Sequence, residues 1–191
     1  MMGTGLAVDS LSRELLQSVV DVARAIFGAQ ASSVFVLDTA SNELVFHAVS
    51  GQGQRTLLGQ RFPAGKGVAG WVVATGEPMV VDDLSQSAAF DRSLAESTGY
   101  VPQSLMAAPL THGDRVLGVL EVLDPLPQSR SNLDALDLLA LFARQAAAAL
   151  RIVIERHDLD GGRVSGGLDP DDLASARQLM DSLQRLLDTS A

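Results

Sequence analysis

Apolar residues recur at three- and four-residue steps near the start of the chain, where Val8, Leu11, Leu15, Val19, Val22 and Ile26 fall on one face of a helix. A second stripe of Leu16, Val20, Ala23 and Phe27 runs beside it. This helix therefore has more apolar surface to cover than a sheet alone requires. The period then changes. Residues 33–37 and 43–49 are rich in β-branched and aromatic side chains and flank Asp38-Thr39-Ala40-Ser41-Asn42, which predicts a hairpin. Residues 50–60 are polar and contain glycine, and read as a loop.

Residues 66–75 predict a short helix, because Gly76 supplies a left-handed stop and Pro78 cannot continue it. Residues 79–81 follow as a short strand. Residues 85–99 mix polar side chains with Phe90 and Leu94 and suit a loop holding one helical turn or two. Residues 105–110 and 115–123 are strands joined by the tight turn Thr111-His112-Gly113-Asp114. Ser131-Asn132-Leu133-Asp134 is a Ser-x-x-Asp cap that opens a long helix to about residue 157. Leu136, Leu139, Ala143, Ala146, Leu150 and Val153 form one stripe on that helix, and Leu138, Phe142, Ala149 and Ile152 another. Residues 146–149 are all alanine, which thins the helix and allows a neighbouring helix to approach closely.

Residues 159–169 are glycine-rich and read as a flexible linker between a main unit over residues 1–158 and a tail helix over 170–189. The sequence Asp169-Pro170-Asp171-Asp172 combines an N-cap, a first-turn proline and acids suited to the helix dipole. Behind it Leu173, Ala176, Met180, Leu183 and Leu187 form a heptad-like seam. That seam fits packing on the chain's own domain or pairing with a second copy or a partner.

A length of 191 residues suits one domain with an extra helix. Cysteine is absent, which removes disulfides, thiolate ligands and thiol nucleophiles and fits a reducing cytoplasm. A net charge of −9, with scattered arginines and Lys66 as the sole lysine, argues against a nucleic-acid partner. No apolar run reaches the roughly 18 residues of a spanning helix, so no membrane partner is expected.

Gly65-Lys66-Gly67-Val68-Ala69-Gly70 matches the dinucleotide-binding pattern, with Asp82 at about the spacing of a ribose-binding acid. A dinucleotide turn must leave a buried parallel strand, whereas Arg61-Phe62-Pro63-Ala64 precedes this one. The glycines are read instead as letting a helix start close to a sheet, with Lys66 solvated. His47, His112 and His157 lack metal-cluster spacing. Trp71 is read as core or pocket wall. Asp82 and Asp83 face a ligand or cap the next turn. Glu121 lies mid-strand between Leu120 and Val122 and points opposite to them, so on a covered face its carboxylate requires a partner.

The stretch from Phe62 to Asp124 resembles a GAF domain, a PAS-like sensor module of signalling proteins. The resemblance rests on Phe62-Pro63-Ala64-Gly65-Lys66-Gly67-Val68-Ala69-Gly70-Trp71, Thr75-Gly76-Glu77-Pro78, Val80-Val81-Asp82-Asp83 and Gly118-Val119-Leu120-Glu121, and it extends over residues 8–157. It implies an α+β fold: a central antiparallel sheet of five to six strands, with the N- and C-terminal helices on one face and a short helix plus loops forming a pocket on the other. By motif position it places ligand contacts at Val68, Ala69, Glu96, Thr98 and Glu121, to which Trp71 is added. It implies a cytoplasmic regulatory module that binds an unidentified small ligand and relays through terminal helices paired in a homodimer to a downstream signalling protein. The alternative is an interaction module with an empty pocket.

The chain departs from the cyclic-nucleotide-binding subset of that family. Of its N-K-xₙ-F-x₃-D-E signature only Asp134 has a clear counterpart, while Asp124, Pro125 and Ala135 stand where Asn, Lys and Glu would be. Val49 and Ser50 replace the aromatic–acid pair that meets the base. A base without its stacking partner loses much of its binding energy, so a cyclic nucleotide is not the expected ligand. Family members that tether a bilin or reduce free methionine sulfoxide use cysteine, which this chain lacks. No catalytic residue, resident cofactor or metal is expected.

Overall fold

The computed structural model describes residues 10–88, 90, 92–126 and 134–161. In chain order its elements are α1 (Ser10–Phe27), β1 (Ala31–Asp38), β2 (Glu43–Gly51), α2 (Gln54–Leu57), β3 (Arg61–Pro63), α3 (Gly67–Thr75), β4 (Met79–Val81), a 3-10 turn (Leu84–Gln86), α4 (Arg92–Thr98), β5 (Leu105–His112), β6 (Arg115–Leu123) and α5 (Ala135–Gly161). The six strands form one sheet in the order β3-β2-β1-β6-β5-β4, and every neighbouring pair is antiparallel. The edge strands β3 and β4 have three residues each, which limits the open backbone available for pairing with another chain. Among the described residues no helix is long and apolar enough to cross a membrane.

Side chains alternate across this sheet and build a separate core on each face. On one face α1 and α5 pack on each other and on the strands, burying Leu16, Val20 and Phe27 of α1 with Leu139, Ala143, Ala146 and Leu150 of α5. The Phe27 and Phe142 rings meet edge to face with centroids 6.4 Å apart. The described members of both stripes are covered because α5 lies beside α1, except Ile26, which is 37% exposed. The thin waist of α5 serves the same core: Ala146 and Ala147 are buried by their own chain. On the other face Phe35, Phe46, Phe62, Leu105 and Val119 pack beneath α3 and its flanking loops.

In β2 the register with β1 shifts: Val34 pairs with Ala48 but Phe35 pairs with Phe46, leaving His47 as the extra residue of a bulge. Strict alternation would put residues 44, 46 and 48 on one face. Because of the bulge, Leu44, Phe46 and Val49 join the α3 side while Ala48 joins the helix side.

Several expectations need correction. Residues 50–60 hold the end of β2 and all of α2 rather than loop alone, and Arg61–Pro63, for which the sequence predicts no element, is an edge strand. The long helix begins at Ala135. Asp134 is its cap: Oδ1 accepts from the backbone N–H of Leu136 at 3.1 Å. That helix runs to Gly161, into the segment read as linker. Val8, Ser131, Asn132, Leu133 and the tail helix over 170–189 lie outside the described residues.

The glycine-rich turn is not a dinucleotide site, since it follows the antiparallel edge strand β3 and leads through α3 to another antiparallel edge strand. Gly70 does mark a close approach, but to the preceding loop rather than to the sheet: a Cβ there would lie 2.8 Å from the carbonyl oxygen of Ala64.

Candidate functional site

Between the sheet and the α3 layer lies a cavity of about 100 Å³. Its floor comes from β1, β2, β5 and β6 through Ser33, Phe35, Phe46, Val49, Leu105 and Glu121. Its cover comes from Val68 and Ala69 of α3, Leu57 of α2, Ala95 of α4, and the loop residues Phe90, Tyr100 and Pro102. Four of the chain's six phenylalanines and its only tyrosine line it.

The aromatic wall is assembled by strand pairing. Phe35 and Phe46 are cross-strand partners with ring centroids 4.4 Å apart. Phe62 reaches them because β3 pairs with β2, and its ring stands nearly perpendicular to that of Phe35 at 5.2 Å. β3 is held at its outer end by Arg61, whose guanidinium donates to Asp38 Oδ2 at 2.9 Å and Glu43 Oε2 at 2.8 Å. The same guanidinium holds both carboxyls below their ordinary range.

Glu121 is the acidic side chain among the cavity residues. Its strand neighbours are the small residues Ser33 and Ala107, so nothing bulky separates the carboxyl from the space. It is only 8% exposed. Among the described residues nothing donates a hydrogen bond to it, and burial raises its pKa to about 7. Across the strand, Leu120 and Val122 enter the core beneath α1 and α5. Glu121 thus lies one residue from the helix layer.

The sequence-derived residues separate into two groups. Val68, Ala69 and Glu121 converge on the cavity. Trp71 is 38% exposed and outside both the cavity lining and the core. Glu96 is paired with Arg92 at 3.0 Å on the solvent face of α4, and its neighbour Ala95 meets the cavity instead. Thr98 ends α4, and its side chain lies outside what the structure describes. Lys66 is exposed but also lines the cavity, so it is more than a solvated loop residue. Asp83 caps the 3-10 turn by accepting from the Ser85 N–H at 2.9 Å, which decides between the two roles considered for it. Phe90, Ala95 and Tyr100 were missed, although an isolated aromatic in a polar loop, as at Phe90, is a readable sign. No group of three or more His, Asp or Glu among the described residues could hold a metal ion.

A family model described as GAF domain matches residues 12–150. The chain belongs to the GAF domain family. Its GAF domain is similar to part of a probable 3',5'-cyclic phosphodiesterase of Caenorhabditis elegans, with 23% identity over 138 residues. That match takes in 65% of this chain and 18% of the phosphodiesterase, so the chain spans less than a fifth of that relative. In fold it is similar to the GAF domain of a phosphoenolpyruvate-protein phosphotransferase from Coxiella burnetii, with a TM-score of 0.69 and 19% identity over 80% of this chain and 89% of that one. It is also similar to a free methionine-R-sulfoxide reductase from Neisseria meningitidis solved with its substrate, with a TM-score of 0.58 and 26% identity over 77% of this chain and 84% of that one.

Proposed function

We propose that this GAF domain is a regulatory sensor module that binds a small ligand between the sheet and α3 and passes its occupancy to α1 and α5. The observation that carries this reading is Glu121, a buried residue whose carboxyl has no hydrogen-bond donor among the described residues and faces an aromatic cavity. A domain with no use for the space gains stability by filling it, whereas burying an unpartnered acid costs stability. β6 offers the route outward, because Glu121 and its neighbours Leu120 and Val122 contact opposite layers. A ligand acts on the helices to the extent that it binds their alternative arrangements unequally.

The proposed output is a change in how α1 and α5 associate with a second copy. Leu141 and Ile26, 39% and 37% exposed, supply apolar contacts on the helix layer. The reductase likeness raises catalysis as a second reading, but these 191 residues contain no cysteine to act as the nucleophile. Binding and relay are therefore preferred to turnover.

Thermal shift against a panel of small metabolites, including cyclic nucleotides and methionine sulfoxide, tests the proposal. At least one compound is expected to raise the melting temperature in a concentration-dependent way, and a cavity-filling Ala69→Phe variant is expected to lose that response. A flat response to the whole panel from the folded wild type favours a module that acts through its surface alone.

A further inference from the structure

The cavity combines two features that together constrain its ligand. One is a wall of aromatic rings: Phe35, Phe46 and Phe62 in mutual contact, with Phe90 and Tyr100 on the covering side. The other is the carboxyl of Glu121, on a residue 8% exposed, which faces the cavity and has no donor among the described residues. Aromatic faces carry negative potential and attract cations, and the attraction grows when water is excluded. An ionised carboxylate in such a site is costly alone and becomes favourable when a charge-assisted hydrogen bond meets it. Both features favour a positively charged group.

We infer that the cavity binds a compact organic ammonium ion, with its N–H group on Glu121 and its apolar body against Phe35, Phe46 and Phe62. This deepens the proposed function and rests on it. An anionic ligand would place like charge against Glu121. A neutral apolar ligand would bring no donor to the carboxyl. The other ionisable side chains lining the cavity are Lys66 of the turn into α3 and Tyr100. The Tyr100 hydroxyl is engaged with Asp124. The elements flanking Glu121 within the sheet present Ser33 from β1 and Ala107 from β5, neither of which titrates. Glu121 is therefore the group whose ionisation a bound ammonium controls.

Titration calorimetry of the full chain with benzylamine and with its neutral counterpart benzyl alcohol decides the matter. Wild type is expected to bind benzylamine at least about tenfold more tightly than benzyl alcohol at pH 8. Glu121→Gln is expected to erase that preference. Should the variant not fold, the wild-type pH profile serves alone: benzylamine affinity is expected to rise about tenfold or more from pH 5.5 to pH 8, with proton release detected as a buffer-dependent heat, while benzyl alcohol shows no such rise.

If benzyl alcohol binds as tightly as benzylamine and Glu121→Gln changes neither, the cavity is a live site but the ammonium inference is overturned. If neither probe binds at millimolar concentration while another metabolite shifts the melting temperature, the inference again fails and the sensor reading stands. If nothing binds, both fall.

Discussion

Tyr100 donates its hydroxyl hydrogen to Oδ2 of Asp124, joining the loop after α4 to the end of β6. The other carboxylate oxygen accepts from the backbone N–H groups of Gln103 and Ser104, each at 2.8 Å. Asp124 occupies a left-handed conformation with φ of 48°, which Asp tolerates better than most residues because its short side chain can bond locally. Burial and this hydrogen bond push the tyrosine pKa well above its ordinary value, so the phenol stays a donor. One carboxylate thereby positions the segment that carries Tyr100 and Pro102 over the cavity.

Replacing Asp124 by Ala removes these acceptor contacts, together with a longer one from the Ser104 hydroxyl at 3.4 Å, and is expected to cost about 2–3 kcal/mol in urea unfolding. The loss should be local in origin, with faster amide hydrogen exchange at Gln103 and Ser104 before the sheet responds. Unchanged exchange at those two amides would show that the loop is held by other contacts.

The pH dependence of stability has two opposed parts. Glu121 has a pKa of about 7 in the fold against 4.5 ordinarily, so between these values the folded state holds the extra proton and stability falls as pH rises. His47 is lowered to about 4 from 6.5, chiefly by burial and secondarily by the charges of Arg13 and Arg61. There the unfolded state holds the extra proton, and stability rises with pH. The two slopes offset one another across the shared range from pH 4.5 to 6.5. Glu121→Gln should expose the rising limb and gain on the order of 3 kcal/mol relative to wild type between pH 4.5 and pH 8. Equal differences between variant and wild type at both pH values would remove Glu121 as the source.

Gly118 sits where β6 crosses β1 at close range: a Cβ there would lie 2.0 Å from the carbonyl oxygen of Phe35. Gly118→Ala is expected to destabilise the domain by at least about 3 kcal/mol, because backbone rather than a flexible side chain must move. Gly113→Ala, in open space with φ of 56°, should cost only about 1 kcal/mol. Comparable losses at the two positions in thermal unfolding would contradict this reading.

Ala146 and Leu141 lie on the same helix but are predicted to fail differently. Ala146 is fully buried within one chain, so Ala146→Glu should unfold the domain and cannot report on association. Leu141→Glu places the charge in solvent. It should leave the melting temperature within a few degrees while lowering the mass measured by light scattering from twice 20.1 kDa to one chain. An unchanged mass would remove α5's exposed face from the proposed interface.

The sheet and the two-layer arrangement were legible because local signals agreed with the global pattern. Gly76 closes α3 with φ of 70° and an N–H bond to the Val72 carbonyl, as its place before Pro78 predicts. Glu121 could be singled out from alternation alone. Other features required pairing information. Arg61–Pro63 is too short and too polar to read as a strand until Leu44 is known to lie beside Phe62. The aromatic wall depends on three segments that only the register brings together. Trp71 drew attention by its size, yet on α3 the buried positions are Val68, Ala69, Gly70 and Val72, which leaves residue 71 outward. Glu96 missed the cavity by a single residue, a rotation of about 100° on a helix, and Ala95 lies there instead.

His47 has a meaning beyond its titration. As the supernumerary residue of β2 it resets odd and even positions, so Phe46 and Val49 can both look into the same chamber. Deleting it would remove the bulge: Phe46 and Ala48 would become neighbours in a regular strand, with Ala48 still facing α1 and Val49 still facing the aromatic rings. What the extra residue contributes is local twist and bend, so a one-codon deletion there would straighten the strand beneath the chamber while leaving the same side chains on each face.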